Sequence, residues 1–354
     1  MARWWGVRAT IGAGLAVVVA ACVPSSPPER LEPTPVPDGV RVMTYNLLGA
    51  QADGNVFDEW AGWAARLDQL RPDVVVLQEA QGDDVSAILG RTTTPYALAS
   101  YRTWECDAKG NPEGVAILVR TSLAVVGSGG THVGESCVDP GVRRVLVWAD
   151  LDVGSGPLRV YGTHLTAGGG ASAASREAQI RAIKRIIVAA DPGDDRRWLF
   201  AGDVNVTPGS FGYRLLTGAV ATEPGPYRFI DTVGDDHPNA VDPVVCPTVP
   251  ADPTSMATLL ANPAHVRDCG YTSGWPKDDN LLGCDLLSLC TSWEQRRDLS
   301  VRERIDVVLR PEGGPVTVTS TFVPNRTDAD WAATGSEWFR LSDHLPYVVD
   351  VRVE

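Results

Sequence analysis

Apolar runs of strand length recur along the chain and are separated by residues that favour turns. The runs are rich in valine and isoleucine, and Gly, Pro, Asn or Asp bounds most of them. Such runs are typical of buried β-strands. We therefore predict strands at Val40–Tyr45, Val74–Leu77, Val115–Val119, Val145–Leu151, Leu158–Tyr161, Trp198–Ala201, Val316–Thr319 and Tyr347–Val351.

Two other segments have the spacing of an amphipathic helix. In Trp60–Leu70 and Ser175–Ala190, apolar residues return every three or four positions, as at Ile180, Ile183 and Ile187. That period places them on one helical face. Many strands with few helices predict an α/β fold, in which two packed β-sheets are flanked by helices.

Composition does not alter the predicted fold, but it limits the classes of molecule that the protein is expected to bind. The 354 residues are 44% hydrophobic, which is enough for one large core. The net charge of -13 disfavours tight nonspecific binding to nucleic acids, because an acidic surface repels polyanions. A local basic groove or a bound metal ion can override that effect.

Residues 1–21 have the pattern of an export signal. Arg3 and Arg8 precede an apolar run, Ile11–Ala21, that is too short to span a bilayer comfortably. The run leads into a segment that resembles the cleavage box of bacterial lipoproteins, which predicts a lipid on Cys22. An ordinary signal peptide with a chance cysteine is the alternative. We expect an exported protein, either held at the membrane by this lipid or secreted.

Residues 22–38 contain six prolines and predict an extended tether without a packed core. We assign residues 39–354 to the folded domain. Residues 221–302 lack clear periodicity and carry four cysteines, so we predict an insertion near the rim of the site. A surface excursion without function is the alternative.

Cysteine usage fits export. Six cysteines remain besides Cys22, and an even number in an exported chain indicates disulfides. Pairing by proximity is one of fifteen connectivities. A zinc site is the rival interpretation, although no Cys-x-x-Cys pair supports it. The proximity pairs are Cys106–Cys137, Cys246–Cys269 and Cys284–Cys290.

Polar side chains that bind metal ions or move protons follow several of the predicted strands. Carboxylate, amide and imidazole groups at strand ends suit a hard divalent cation beside an attacking water and a phosphate ester. The residues are Asn46, Glu79, His164, Asp203, Asn205, Asp343 and His344.

Six short segments, in this order, resemble the endonuclease/exonuclease/phosphatase superfamily. They are Met43–Asn46, Leu77–Glu79, Gly162–His164, Gly202–Asn205, Arg304–Leu309 and Ser342–His344. The resemblance runs from about Val40 to Val353. It implies a four-layer α/β sandwich of two packed β-sheets flanked by helices, with the site at one end of the sheets.

The resemblance also implies a ligand set for the metal ion. Glu79 would be the main ligand, Asn46 would supply a neutral oxygen nearby, and Asp343 would contact the ion. Mg²⁺ is the expected cofactor, with Mn²⁺ and Ca²⁺ as alternatives.

The remaining matched residues would carry the chemistry. Asp203 would hold or deprotonate a water, and Asn205, on the same extended segment, would donate to the phosphate. His164 would donate to a phosphate oxygen. His344 would contact the scissile phosphate or act as acid or base, and Asp306 would orient it.

Glu113 occupies the place where deoxyribonuclease-type members keep a glutamate paired to the first histidine, here His164. The match is local, and an ordinary loop glutamate is the alternative. Arg176 and Gln179 follow His164 in a pattern that resembles bacterial sphingomyelinases.

The sequence therefore predicts an exported, metal-dependent hydrolase that cleaves a phosphodiester by direct attack of activated water. A sphingomyelinase-like or small phosphodiester substrate is favoured over DNA. An exported DNA or RNA endonuclease is the second hypothesis, and a noncatalytic binding protein on the same fold is the third. We expect a monomer.

Overall fold

The apolar runs form two six-stranded β-sheets in a computed structural model of the chain. The predicted export signal, tether, Cys22, cysteine pairs and Asp343 lie outside the described residues. The structure describes residues 38–47, 59–104, 112–134, 143–168, 171–191, 195–220, 228–241, 273–275, 300–323 and 344–354.

The elements follow one another as strands with a few interspersed helices. The strands are β1 (Val40–Asn46), β2 (Val74–Ala80), β3 (Tyr96–Thr103), β4 (Gly114–Arg120), β5 (Ala124–Val133), β6 (Arg144–Asp152), β7 (Pro157–His164), β8 (Trp198–Asp203), β9 (Phe229–Asp231), β10 (Ser273–Trp275), β11 (Ser300–Glu303), β12 (Asp306–Pro311), β13 (Val316–Phe322) and β14 (Tyr347–Val353). The helices are α1 (Glu59–Leu70), α2 (Gly82–Leu89), α3 (Ala171–Ala190), α4 (Phe211–Leu216) and α5 (Val233–Asp236), followed by a 3-10 turn at Pro238–Val241.

Each sheet has one parallel strand pair in its interior. The first sheet has the order β13-β14-β1-β2-β4-β3, with β1 and β2 parallel. The second has the order β5-β6-β7-β8-β12-β9, with β7 and β8 parallel. The other neighbouring pairs within the two sheets are antiparallel. Strands β10 and β11 form a separate two-stranded sheet.

The main core lies between the two sheets. Its residues come chiefly from β1, β2, β4, β6 and β14, and most of their apolar side chains are fully buried. A second core covers the other face of the second sheet, where Ile180, Ile183 and Ile187 of α3 pack with Trp198 and Phe200 of β8. Two sheets with helices against them confirm the predicted α/β sandwich.

One glycine governs how closely the sheets approach. A Cβ atom on Gly162 of β7 would lie 2.7 Å from Cγ1 of Val76 in β2 and 3.1 Å from Cγ2 of Val147. Close-packed interiors have little space for such an atom. The missing side chain therefore lets β7 approach the opposite sheet two residues before His164.

The structure differs from the sequence prediction at the sheet edges. Strands β3 and β5 were not predicted, because their residues are mostly exposed or half-buried and show no buried apolar run. Residues 228–241 fall inside the predicted insertion, yet β9 pairs with β12 at the edge of the second sheet. Phe229 and Val233 are buried in the cores, so this part of the insertion belongs to the sandwich.

The helices lie near their predicted bounds. α1 begins one residue before the predicted Trp60, and α3 begins four residues before Ser175. Within the described parts of the chain, none of the helices combines the length and the hydropathy that crossing a membrane requires.

Replacing Gly162 with alanine should destabilise the fold by about 1–3 kcal/mol, because the new methyl group overpacks the space between the sheets. The matched control is Gly90→Ala at the end of α2, where a Cβ atom would make ordinary contacts at 3.4 and 3.7 Å. Urea denaturation measures both changes. Equal unfolding midpoints for the two variants would show that the sheets are not closely apposed at Gly162.

Candidate active site

The carboxyl ends of the two parallel strand pairs meet, and one amide connects them. Nδ2 of Asn46, at the end of β1, donates to Oε1 of Glu79 at 3.0 Å and to Oδ2 of Asp203 at 3.1 Å. Glu79 belongs to the same sheet as Asn46, whereas Asp203 ends β8 in the other sheet. Asn46 is 1% exposed, its bond to Asp203 is buried, and its bond to Glu79 is partly buried.

Glu79 owes its direction to an irregularity in β2. The ladder between β2 and β4 changes register between Leu77 and Ala80, and Glu79 has a φ of 53°. The left-handed conformation costs a residue with a Cβ atom about 1–2 kcal/mol. A bulge of this kind re-aims a side chain, and strain of this kind concentrates at functional sites. The carboxylate is turned toward Asn46 and His164 and keeps 24% of its side-chain surface exposed.

A second glycine brings His164 beside Asp203. The two residues are register partners at the ends of the parallel strands β7 and β8. Gly202 has a φ of 151°, and a Cβ atom there would overlap the carbonyl oxygen of Thr163. Glycine adopts this backbone conformation without a steric penalty. The result is a distance of 3.5 Å from Nε2 of His164 to Oδ2 of Asp203.

His164 is buried and held as a neutral imidazole. Burial lowers its pKa well below the usual value, and the positive charge of Arg144 and the neighbouring His344 lower it further. The edge-on ring of Trp104 lies 5.4 Å from the imidazole, centroid to centroid.

Asn205 fixes the tautomer of His164. Its Nδ2 donates to the carbonyl oxygen of Leu165 at 3.0 Å, which identifies the amide nitrogen, and lies 3.1 Å from Nε2 of His164. That ring nitrogen must therefore accept, so the proton of the neutral ring is on Nδ1. Nδ1 is 3.9 Å from Oε1 of Glu79.

Asn205 does not continue the extended segment that the sequence predicted. β8 ends at Asp203, and Asn205 has a φ of 50°. Its backbone N–H donates to Oδ1 of Asp203 at 2.9 Å. The side chains of both residues therefore approach Nε2 of His164 through this turn and not through strand alternation.

Asp306 and His344 form a buried pair. Oδ2 of Asp306 lies 2.7 Å from Nδ1 of His344, and the two residues are 0% and 6% exposed. Asp306 is also the register partner of Asp203 in the β8–β12 ladder. The other ring nitrogen of His344, Nε2, lies 3.7 Å from Oδ2 of Asp203.

Asp203 is the electrostatic centre of the cluster. Burial, followed by the charge of Asp306, raises its pKa to about 8, although His344 and Asn46 act in the opposite direction. Buried carboxylates repel each other and lack the solvation that water gives them. A bound cation would relieve both effects.

The donor set fits a divalent metal ion. Ligand atoms of Asp203, Asp306 and His344 all lie within 4.8 Å of one another. Glu79 adds a further carboxylate, because its Oε1 accepts from the same Asn46 amide nitrogen that donates to Asp203. Oxygen-rich sites of this kind suit Mg²⁺ and Ca²⁺, and the imidazole also suits Mn²⁺.

Sequence reasoning missed one charged residue of the site. Arg144 lies at the start of β6, and its guanidinium carbon is 4.8 Å from the centroid of the Trp104 ring. Burial lowers the pKa of Arg144, while the carboxylates of Glu79, Asp203 and Glu113 favour its charged form. No local sequence signal marks Arg144, because only the antiparallel pairing of β6 with β7 places the first residues of β6 beside the end of β7.

Glu113 lies close enough to Arg144 to act on its charge. The carboxylate oxygens found near His164 belong to Glu79 and Asp203.

Arg176 and Gln179 of α3 hold the loop after His164. Gln179 binds Thr166 through Oε1 and Nε2 at 3.1 and 2.7 Å, and Arg176 donates to the carbonyl oxygen of Thr166 at 2.8 Å.

The structure thus brings together most of the residues that the sequence proposed for the site. Asp343 and Cys22 lie outside the described residues, as do the predicted disulfides. The clustered residues are Asn46, Glu79, His164, Asp203, Asn205, Asp306 and His344.

Solved structures with the same fold cover most of the chain. An endonuclease/exonuclease/phosphatase from Bacteroides vulgatus is 17% identical over 89% of this chain and 99% of its own, with a TM-score of 0.56. A mannosyl-6-phosphatase from Bacteroides thetaiotaomicron is 13% identical over 88% and 99%, with a TM-score of 0.56. The human Nocturnin catalytic domain, solved with a bound sulfate anion, is 17% identical over 91% and 97%, with a TM-score of 0.53.

A comparison with curated proteins gave no match. The sequence model of the endonuclease/exonuclease/phosphatase family, in contrast, matches residues 43–344. These residues contain both six-stranded sheets except for the start of β1 and the whole of β14, and they contain every clustered side chain of the site. Members of this family are generally phosphoesterases or nucleases, and they commonly use divalent metal ions. The chain belongs to the endonuclease/exonuclease/phosphatase family.

Proposed function

We propose that the protein is a metal-dependent hydrolase that cleaves a phosphodiester by direct attack of water. Buried polar side chains from both sheets, clustered where two parallel strand pairs end, support this function. Burying several carboxylates together is costly unless a cation or a reacting group compensates them. A noncatalytic binding protein has no need of such a cluster, so we favour an enzyme.

Asp203 is suited to take the proton of the attacking water. Its carboxylate lies among the buried polar groups of the site, with Oδ2 3.5 Å from Nε2 of His164 and 3.7 Å from Nε2 of His344. Asn46 holds one carboxylate oxygen and the backbone of Asn205 holds the other. The carboxylate therefore keeps one orientation while it accepts the proton.

His344 is suited to protonate the departing oxygen. Asp306 binds Nδ1, which leaves Nε2 facing the site beside Asp203. A carboxylate partner stabilises the imidazolium form and fixes the ring. His164, protonated on Nδ1, can donate to a phosphate oxygen as a neutral group.

Asn205 primarily positions His164. Both hydrogens of its amide are engaged, one by Leu165 and one by His164. Donation to a phosphate oxygen, which the sequence suggested, requires one of these bonds to open.

Two separate groups of residues are candidates to hold the metal ion. One consists of Glu79, Asn46 and Asp343, and the other of Asp203, Asp306 and His344. When bound, the ion supplies positive charge that neutralises the phosphate oxygens. We propose Mg²⁺, with Mn²⁺ and Ca²⁺ as the alternatives.

Arg144 would bind the phosphate as a second positive group besides the metal ion. Its guanidinium lies over Trp104, and Nε is buried without a hydrogen-bond partner within the described residues. Guanidinium groups pair with phosphate oxygens through two parallel hydrogen bonds.

Among phosphate esters, we favour a small or sphingomyelin-like phosphodiester. The net charge of -13 opposes a long polyanion more than a single phosphate group. An endonuclease is the second candidate. The phosphatase among the structural neighbours makes phosphate monoesters the third class to test.

A substrate panel tests the proposed activity. Sphingomyelin, phosphatidylcholine, a small aryl phosphodiester, its monoester, plasmid DNA and RNA should each be offered with Mg²⁺, Mn²⁺ or Ca²⁺. We expect hydrolysis of the small diester or sphingomyelin, and at least about 100-fold less with Glu79→Gln because a ligand charge is lost. Glu312→Gln, an exposed site, is the control. Metal-independent turnover, or a fully active Glu79→Gln protein, would refute the metal assignment.

Replacing Arg144 with methionine should lower kcat/KM by about 100-fold, because a charged donor to the phosphate is removed. Arg159→Met is the matched control, since Arg159 also lies over a tryptophan, Trp148, in the same sheet. It lies near the opposite end of β7, and we expect at most a twofold change. Similar losses in both variants would mean that Arg144 acts through stability and not through the substrate.

We also propose that the protein is exported and anchored by a lipid. The basic start, apolar run and cleavage box at Cys22, followed by a proline-rich tether, support this location. Mass spectrometry of the mature protein should show a diacylglycerol modification on Cys22. In the Cys22→Ser variant, the protein should leave the membrane fraction. An unmodified Cys22 in mature protein would contradict the anchor.

A further inference from the structure

A charged cluster outside the catalytic residues lies directly behind the site. Nη1 of Arg304 donates to Oδ2 of Asp231 at 2.6 Å, and the hydroxyl of Tyr213 donates to the same oxygen at 2.7 Å. Nη2 of Arg304 lies 3.3 Å from the Tyr213 hydroxyl oxygen. The three residues, here called the Arg304 cluster, are 1–6% exposed.

Two members of the cluster adjoin loops that carry site residues. Arg304 is two residues before Asp306, which binds His344. Tyr213 lies in the first turn of α4, and Oγ of the N-cap residue Ser210 accepts from the Tyr213 backbone N–H at 3.2 Å. Only a short loop separates Ser210 from Asn205. The cluster therefore connects the segment that leads to Asp306 with the loop between Asn205 and Ser210.

The two loops also touch each other at the site. The backbone N–H of Val204 donates to the carbonyl oxygen of Ile305 at 2.9 Å. Val204 directly follows Asp203, and Ile305 directly precedes Asp306. A shift of either loop would therefore move one aspartate relative to the other.

The third member extends the connection toward His344. Asp231 ends β9, and the next residue, Thr232, donates its hydroxyl to the carbonyl oxygen of Val308 in β12 at 2.8 Å. The same hydroxyl lies 3.1 Å from that of Tyr347, three residues beyond His344. Thr232, next to Asp231, thus contacts both β12, which begins at Asp306, and Tyr347, which follows His344 by three residues.

Stability alone is a weak reason for such a cluster. Burying an arginine–aspartate pair removes two charges from water, and well-packed apolar residues are often as stable. What the pair does supply is direction, because a guanidinium and a carboxylate bind in a fixed geometry. Fixed geometry matters most where reacting groups must be held within a fraction of an ångström.

We propose that Arg304, Asp231 and Tyr213 are positioning residues that hold Asn205 and the Asp306–His344 pair in their reactive arrangement. This inference rests on the proposed function. The cluster does not touch the reacting groups, so its loss should lower the rate of the chemical step and leave substrate binding nearly unchanged.

The test uses Tyr213→Phe, which removes one hydroxyl and keeps the ring, and Arg304→Lys as a second variant. Matched controls exist at distant places in the other sheet. Tyr96→Phe removes a hydroxyl that donates to the carbonyl oxygen of Pro72 at 2.8 Å. Arg41→Lys alters a buried pair with Asp350, where Nε lies 2.7 Å from Oδ1.

Amide hydrogen exchange gives a readout that does not require activity. In Tyr213→Phe, the amides of Val204 and Asn205 should exchange at least about tenfold faster than in the wild-type protein, because local opening becomes easier. Neither control should change these two amides beyond its effect on global stability. Unchanged exchange in both cluster variants would overturn the inference.

The kinetic readout uses the substrate that the panel identifies. We expect kcat to fall about tenfold in Tyr213→Phe with KM changed less than twofold, as when a partner of a catalytic group is lost. A variant with faster amide exchange but wild-type kcat would also overturn the inference. If the wild-type protein hydrolyses no phosphate ester, the proposed function fails, and amide exchange alone decides whether the cluster holds the loops.

Discussion

The site depends on a hydrogen-bonded link between two sheets. The amide of Asn46 donates to Glu79 in its own sheet and to Asp203 in the other, at 3.0 and 3.1 Å. One amide can satisfy both carboxylates only if the sheets pack closely and the carboxyl ends of their parallel pairs coincide. Gly162 permits the close packing of the sheets, because a Cβ atom there would lie 2.7 Å from Val76 in the other sheet. Gly202 permits β7 and β8 to align within the second sheet, because a Cβ atom there would overlap the carbonyl oxygen of Thr163.

The same hydrogen-bonded link explains where the backbone is conformationally strained. Two residues with Cβ atoms adopt left-handed backbone conformations in the described chain around the site, Glu79 and Asn205. The side chain of Glu79 meets the Asn46 amide, and the side chain of Asn205 meets His164, so both residues contact neighbours of Asp203. Conformational strain and buried like charges lie together there, whereas the surrounding core consists of regular valine-rich strands. A rigid apolar frame can hold such an arrangement, because its strands leave the site residues few alternative positions.

The sequence predicted the parts of the structure that local pattern controls. Buried strands such as β1 and β2 carry continuous apolar runs, and polar residues directly after parallel strands come to one end of the sheets. Strands β3 and β5 were not predicted, because they are edge strands whose mostly exposed or half-buried residues form no continuous apolar run. The role of Arg144 depended on the antiparallel order of β6 and β7, which no local signal encodes. The turn at Asn205 was missed because the short polar segment after β8 reads equally well as extended chain.

The position of β14 has a consequence for how the molecule can assemble. β14 lies in the interior of the first sheet, between β13 and β1, and follows His344 almost immediately. Its Asp350 pairs with Arg41, 309 residues earlier in the chain. At about 5–20 residues per second, the ribosome needs roughly 15–60 s to make the intervening chain. For that time β1 lacks one of its two neighbours, and contacts this distant in sequence form slowly. The first sheet therefore lacks one of its interior strands until synthesis has passed His344.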